Sequence, residues 1–395
     1  MATQEIDHER AVPSAIDPVP AEQLDRLTRQ LAETAEHYDR SGEFPRANFD
    51  LLAEQGLIGL TVPRELGGRG AGLGEALRVL GAVAKGEPST ALILFMTYHY
   101  HATPTRARTW PAAIYERLAR DAVAGGGLIG GLRVEPELGT PVRGGLPATT
   151  ARRTADGWAV TGTKIYSTGS TGLDWFSVWA KTDEDDPRVG NFLIRADSPG
   201  IEIEPVWDHL GMRATVSHAV HFTDTPVPVD HAVDVRRPDQ WAAGAGDPGL
   251  AIWNALSIST IYDGVARAAR DWLRAYLNDR VPTNLGASLA TLPRVQEKFG
   301  EIESLLQVNR TLIRDAAVRH DAGETPAAVE VNNIKYLVTA NAIRAVEIGL
   351  ELTGNPGISR KNPLERHYRD VLCSRIHSPQ TDTILIAAGR AALGN

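Results

Sequence analysis

The chain has 395 residues, 43% hydrophobic and 23% charged, with 49 acidic side chains against 41 Lys and Arg and a formal net charge of -8. That length exceeds what one hydrophobic core organises, so two or three domains are expected. The acidic balance excludes a general nucleic-acid binder and leaves no basic face for anionic lipid, and the single cysteine, Cys373, excludes an internal disulfide or a cysteine-cluster metal site.

No apolar run reaches bilayer length and residues 1–20 lack a signal-peptide core. A cytoplasmic location is therefore expected, with 1–20 a disordered leader. Helical signals fill 21–126. Leu24, Leu27 and Leu31 share one face, NFDLLAEQGLIGL and GEALRVLGAVAKG continue the period, and STALILFMTYHYH after Pro88 predicts a helix buried on most sides. TWPAAIYERLARDAV closes this block with Pro111 near a helix start.

The texture changes over 127–240. An Asp156-Gly157 turn between alternating stretches predicts a hairpin, and DWFSVWAKT, GNFLIRAD, GIEIEPVW and HAVHFTD predict further short strands of a compact barrel or sandwich. Gly125, Gly127 and Gly130 satisfy the G-x-G-x-x-G dinucleotide pattern, but Pro136, Gly139 and Pro141 forbid the long helix that must follow it. Over 241–395 apolar residues recur at three-and-four spacing in three long stretches, including Ile258, Tyr262 and Val265, then Val295, Ile302 and Leu306, then Ile334, Val338 and Ile348. With a short last helix these predict a four-helix bundle. The expected class is α+β: an N-terminal helical domain, a central β-barrel or sandwich, and a C-terminal four-helix bundle.

Five segments in this order carry a resemblance. They are GLTVPRELGGRG (59–70), EPELGT (135–140), GWAVTGTKIYSTGS (157–170), LGMRATVSHAVHFTDTPVP (210–228) and NPLERHYRDVLCSRIHSPQTDTILIAAG (362–389). Together they resemble the acyl-CoA dehydrogenase superfamily from about residue 20 to the end. The resemblance implies a flavin, FAD with FMN as the alternative, in a homotetramer or homodimer whose flavin sites are completed across subunits. It implies Thr168 at the flavin ring and Tyr166 shielding it; both residues also suit an ordinary hairpin. Gly139 and Thr140 would let backbone amides approach the cofactor, or form a simple turn. Arg280 would meet the pyrophosphate, or serve as a solvated helix-end charge. LTGNPG (352–357), with Gly354 and Gly357, resembles the turn near the adenine. Arg366 and Asp370 read as a pair or as helix caps.

The family places its catalytic glutamate in one of two regions, and here the matching residues are Ser378 and Asn254. Neither is an acid, and a missing base forfeits about 10²–10⁴-fold in rate. Asp382, four residues on, is the alternative base. His377 resembles a histidine of the superfamily's reduced-flavin monooxygenases, similar to dibenzothiophene monooxygenase. That branch implies reduced flavin from a separate reductase, O2, a C4a-peroxyflavin and a small organic substrate. His377, His99 and Ser378 are the catalytic candidates, with Thr168 as the hydroxyl at the ring wall. His99 reads equally as an interfacial histidine, and His101 is a poorer candidate. The pairs His99/His101 and His218/His221 lack acidic or cysteine partners at ligand spacing, so no metal is expected. The other reading is an acyl-CoA or acyl-carrier-protein dehydrogenase with a displaced base.

Overall fold

The structure is a computed structural model that describes residues 17–107, 109–138, 145–242, 249–324 and 326–394. Residues 1–16 of the expected leader lie outside these. Of its remaining four residues only Val19 is buried, donating its N–H to Glu75 at 2.7 Å, while Asp17, Pro18 and Pro20 are exposed.

Five helices come first: α1 (Ala21–Ser41), α2 (Arg46–Glu54), α3 (Leu73–Gly86), α4 (Pro88–Ala107) and α5 (Ala112–Val123). Leu24, Leu27 and Leu31 are the buried stripe of α1, and Gly42, at φ 66, ends it in the left-handed conformation. α4 starts where Glu87 accepts the N–H groups of Ser89 and Thr90, at 3.0 and 2.6 Å, which satisfies amides that have no partner within the helix. Pro111 stands just before α5 rather than inside it.

Eight strands follow: β1 (Ile129–Leu132), β2 (Thr150–Arg153), β3 (Gly157–Ser167), β4 (Trp175–Thr182), β5 (Val189–Arg195), β6 (Ile201–Glu204), β7 (His218–Pro228) and β8 (Ala232–Arg236). They form one sheet in the order β6-β7-β3-β2-β4-β5-β8, with β1 paired parallel to β4. β2 and β3 are the hairpin expected at Asp156-Gly157. The glycine pattern at 125–130 runs into β1, not a helix.

The chain then returns to helix with α6 (Pro238–Ala242), α7 (Gly249–Asp279), α8 (Pro293–Asp321), α9 (Ala328–Thr353), α10 (Asn355–Ile358), α11 (Leu364–Leu372) and α12 (Thr381–Leu393). α7 is buried along most of its length and packs on α3 and α4 on one side and on α9 on the other, so it joins the two helical blocks. Inside the bundle Asn309 donates to Asp263 at 3.0 Å while Arg267 donates to the same carboxylate at 2.6 Å. The buried charge is thereby paired and hydrogen-bonded. The architecture is the α+β arrangement expected from the sequence.

Candidate functional site

The loop between α11 and α12 is held by side chains from two bundle helices. Lys335, buried on α9, donates to the carbonyls of His377 and Pro379 at 2.5 and 2.7 Å, and Asn254 of α7 donates to the Ser378 carbonyl at 3.2 Å. Three successive carbonyls are therefore fixed. Two turns further along α7, the Tyr262 hydroxyl lies 2.6 Å from Nε2 of His377. Burial, helped by the Lys335 charge, pushes His377 down to about 3, and Lys335 itself is lowered to about 8 by burial. Burial also raises the Tyr262 phenol well above its usual value, so both partners of this hydrogen bond are neutral near pH 7.

Sequence reasoning missed Lys335 and treated Tyr262 only as part of an apolar stripe. A signal for Lys335 was present, since it falls among Val331, Ile334 and Val338 on the face of α9 that is buried. A charged residue there must find acceptors. Asn254 and Ser378, separated by 124 residues, meet through the hydrogen bond to the Ser378 carbonyl.

A second cluster forms where β3 ends. Thr168 Oγ1 is 3.2 Å from Ser217 Oγ, which is 2.9 Å from Thr215 Oγ1, and Ser170 donates to the Val216 carbonyl at 2.7 Å. These hydroxyls stitch the segment 157–170 to the segment 210–228. Tyr166 has φ 54 and is 55% exposed, with its ring edge-on to Trp207 and His209. Behind this wall Lys164 is fully buried and donates to Glu135 at 2.6 Å, and Glu135 also accepts from Ala148, Thr149 N–H and the Thr149 hydroxyl. The strut anchors the start of the segment that contains Gly139 and Thr140, which lie outside the described residues.

The other candidates are dispersed. His99 sits on α4 with its ring against Phe95 and Tyr100, and its buried Nδ1 has no hydrogen-bond partner. Burial, with the charge of Arg133, lowers it to about 4. No ring or hydrogen-bond contact joins it to His377 among the described residues. Arg280 is exposed just beyond α7, and its guanidinium has no ion pair among the described residues. Gly354, at φ 60, has open space where a side chain would stand, whereas a Cβ on Gly357 would lie 2.2 Å from Thr353 Oγ1. Gly357 therefore serves close packing.

Arg366 and Asp370 do not pair. Asp370 accepts the Met212 N–H at 2.6 Å, and Arg366 keeps a buried Nε with no partner, because the α11 face that Asp370 occupies meets loop backbone instead. His221 lies between Thr163 and Glu204, each at 3.0 Å, and His218 accepts the Trp207 N–H at 3.1 Å.

Among the described residues the buried carboxylates are Glu87, Glu135, Asp263 and Asp370, and each is engaged as given above. Asp382 is exposed in the first turn of α12, where an acid suits the helix dipole.

The chain matches the acyl-CoA dehydrogenase N-terminal domain over residues 23–107, the middle domain over 134–225 and the C-terminal domain over 253–389. It is similar to YdbM of Bacillus subtilis (strain 168), a protein assigned to the acyl-CoA dehydrogenases, at 32% identity across 92% of this chain and 94% of that one. The chain belongs to the acyl-CoA dehydrogenase family. Enzymes of this family are flavin-dependent oxidoreductases. Another similar member is the amino sugar nitrososynthase RubN8 of Streptomyces rubradiris, 28% identical across 92% of this chain and 87% of that one. Among solved structures, KijD3 in complex with FMN and a dTDP-linked 3-amino-4-keto sugar aligns with a TM-score of 0.81 and 28% identity, covering 95% of each chain. Among the described residues no helix is long and apolar enough to cross a membrane.

Proposed function

We propose that this family member is a monooxygenase that uses reduced flavin and O2 on a small organic substrate. The observation that carries the reading is the contact between Asn254 and Ser378. These residues stand where the family's two alternative glutamates are expected, and neither bears a carboxyl group. The ionisable side chains beside them are the neutral imidazole of His377 and the ammonium of Lys335, and neither is a carboxylate.

The residues at the end of β3 fit a flavin ring. Tyr166 offers an open aromatic face and Thr168 a hydroxyl beside it, and beyond α7 the guanidinium of Arg280 has no ion pair among the described residues. Tyr166, Thr168, Arg280 and Gly354 would hold the cofactor, joined by Gly139 and Thr140. The flavin is FAD, with FMN, which KijD3 takes in its complex, as the alternative. When bound it supplies the electron chemistry, and the protein supplies orientation and control of protons.

With Tyr262 donating to Nε2, His377 carries its proton on Nδ1 and offers it as a hydrogen-bond donor to the reacting atoms. Lys335 and Asn254 keep that ring in place by holding the carbonyls of His377 itself and of the two residues that follow it. His99 supplies a second neutral imidazole. Reduced flavin comes from a separate reductase, and the protein works as a homotetramer or homodimer in the cytoplasm.

The test supplies reduced protein with ¹⁸O2 and a panel of small amines and sulfur heterocycles. Incorporation of ¹⁸O into a product is expected. A second reading, a dehydrogenase of acyl-CoA or acyl-carrier-protein thioesters, is favoured by the similarity to YdbM. Bleaching of the oxidised flavin by a thioester without oxygen, with an α,β-unsaturated product, would establish it and remove the first.

A further inference from the structure

A cavity of about 820 Å³ opens between α1, the 209–213 loop and residues 360–369, away from the groups given catalytic roles above. Its walls are polar and mixed in charge, and most of the charges are paired. Arg369 is gripped by Asp39 and Glu365, at 2.6 and 2.7 Å, Arg40 by Glu36 at 2.5 Å, and Arg213 by Asp208 at 3.0 Å.

Three cations on the wall are left over. The side chains of Arg360, Lys361 and Arg366 make no hydrogen bond or ion pair with any described residue, and the buried Nε of Arg366 has no acceptor. Glu33 is the one carboxylate on the wall in the same condition. The Nε of Arg366 is closed off from the cavity, so a ligand there would meet the accessible terminal nitrogens of this half-buried guanidinium. Guanidinium groups match the oxygens of phosphates two at a time, and the neighbouring lysine adds a point charge. The volume exceeds a single phosphate and lies in the range of small-molecule sites.

We propose that this cavity binds a phosphate-bearing ligand of nucleotide size through Arg360, Lys361 and Arg366. The proposal stands on these three side chains and the cavity, independently of the oxygenase reading.

The full-length protein is titrated calorimetrically with inorganic pyrophosphate and with dTDP. Saturable binding is expected, weakened at least about tenfold in the Arg360→Ala/Lys361→Ala double variant and again in Arg366→Gln. Tighter binding of dTDP than of pyrophosphate assigns the site to a nucleotide. Equal binding would limit the site to the diphosphate and overturn the nucleotide assignment. Arg280→Ala, outside the cavity, should leave the titration unchanged. Absence of binding, binding indifferent to the cavity variants, or binding lost in Arg280→Ala would each overturn it. Arg360 and Lys361 are exposed, so the double variant should melt like the parent and decides the matter even if Arg366→Gln is unstable.

Discussion

At the scale of single residues, Ser378 and Asn254 bear no carboxyl group, and the imidazole of His377 adjoins Ser378. Tyr262 and His377 are both neutral because burial penalises either charge, and their 2.6 Å contact fixes the ring. Tyr262→Phe removes one neutral hydrogen bond, worth about 1 kcal/mol, and turnover should fall about fivefold with the pH profile displaced and the melting temperature nearly kept. Steady-state kinetics across pH would show this, and an unchanged kcat would disconnect Tyr262 from the chemistry. The converse change is Ser378→Glu, which restores a carboxylate next to Asn254. Anaerobic flavin bleaching by a short acyl-CoA should then appear in the variant, read from the visible spectrum, and not in the parent. His377 and Ser378 were legible from the sequence through the closing segment. Lys335 was not singled out, because a lone lysine within an amphipathic helix ordinarily reads as a snorkelling side chain.

At the scale of elements, two buried lysines fasten loops to rigid supports. Lys335 spans from α9 to the closing loop, and Lys164 spans from β3 to Glu135 at the head of the 135–140 segment. Lys335→Met keeps the stem and removes the charged donor from two carbonyls. A loss of about 2–3 kcal/mol is expected, seen as a lower denaturation midpoint, with faster proteolytic cleavage near 377–379. Glu135→Gln strands the Lys164 ammonium in the interior and should cost about 3–5 kcal/mol in the same measurement. Strand and helix assignments were readable here because period-two and period-3.6 patterns are local. The pairing of β1 with β4 and the joining of β3 to β7 were not, since nothing in a strand's own pattern names its neighbour.

At the scale of the whole molecule, buried histidines set the acid limit. His101 is held at about 4 and His367 at about 3, both by burial, with Arg366 and Arg369 adding to the second. Their folded values lie below the unfolded value of about 6.5, so their contribution is complete above that pH and is lost as pH falls toward the folded values. Each costs about 2 kcal/mol at pH 5. His99 and His377 act in the same direction. Asp370, raised to about 7 by burial, acts oppositely: its contribution is complete below about 3.8 and lost as pH rises through 7. Four imidazoles outweigh one carboxyl, so the melting temperature should drop steadily from pH 6.5 to pH 4.5 in a scanning experiment. The sequence by itself determined the three-block order, the family resemblance and the absence of an acid at Ser378 and Asn254, because periodicity and residue identity are local. Only the tertiary structure brought those two positions into contact, partnered His377 with Tyr262, and left Arg360, Lys361 and Arg366 facing one cavity. Proximity and burial depend on how distant segments pack, and no single segment carries that information.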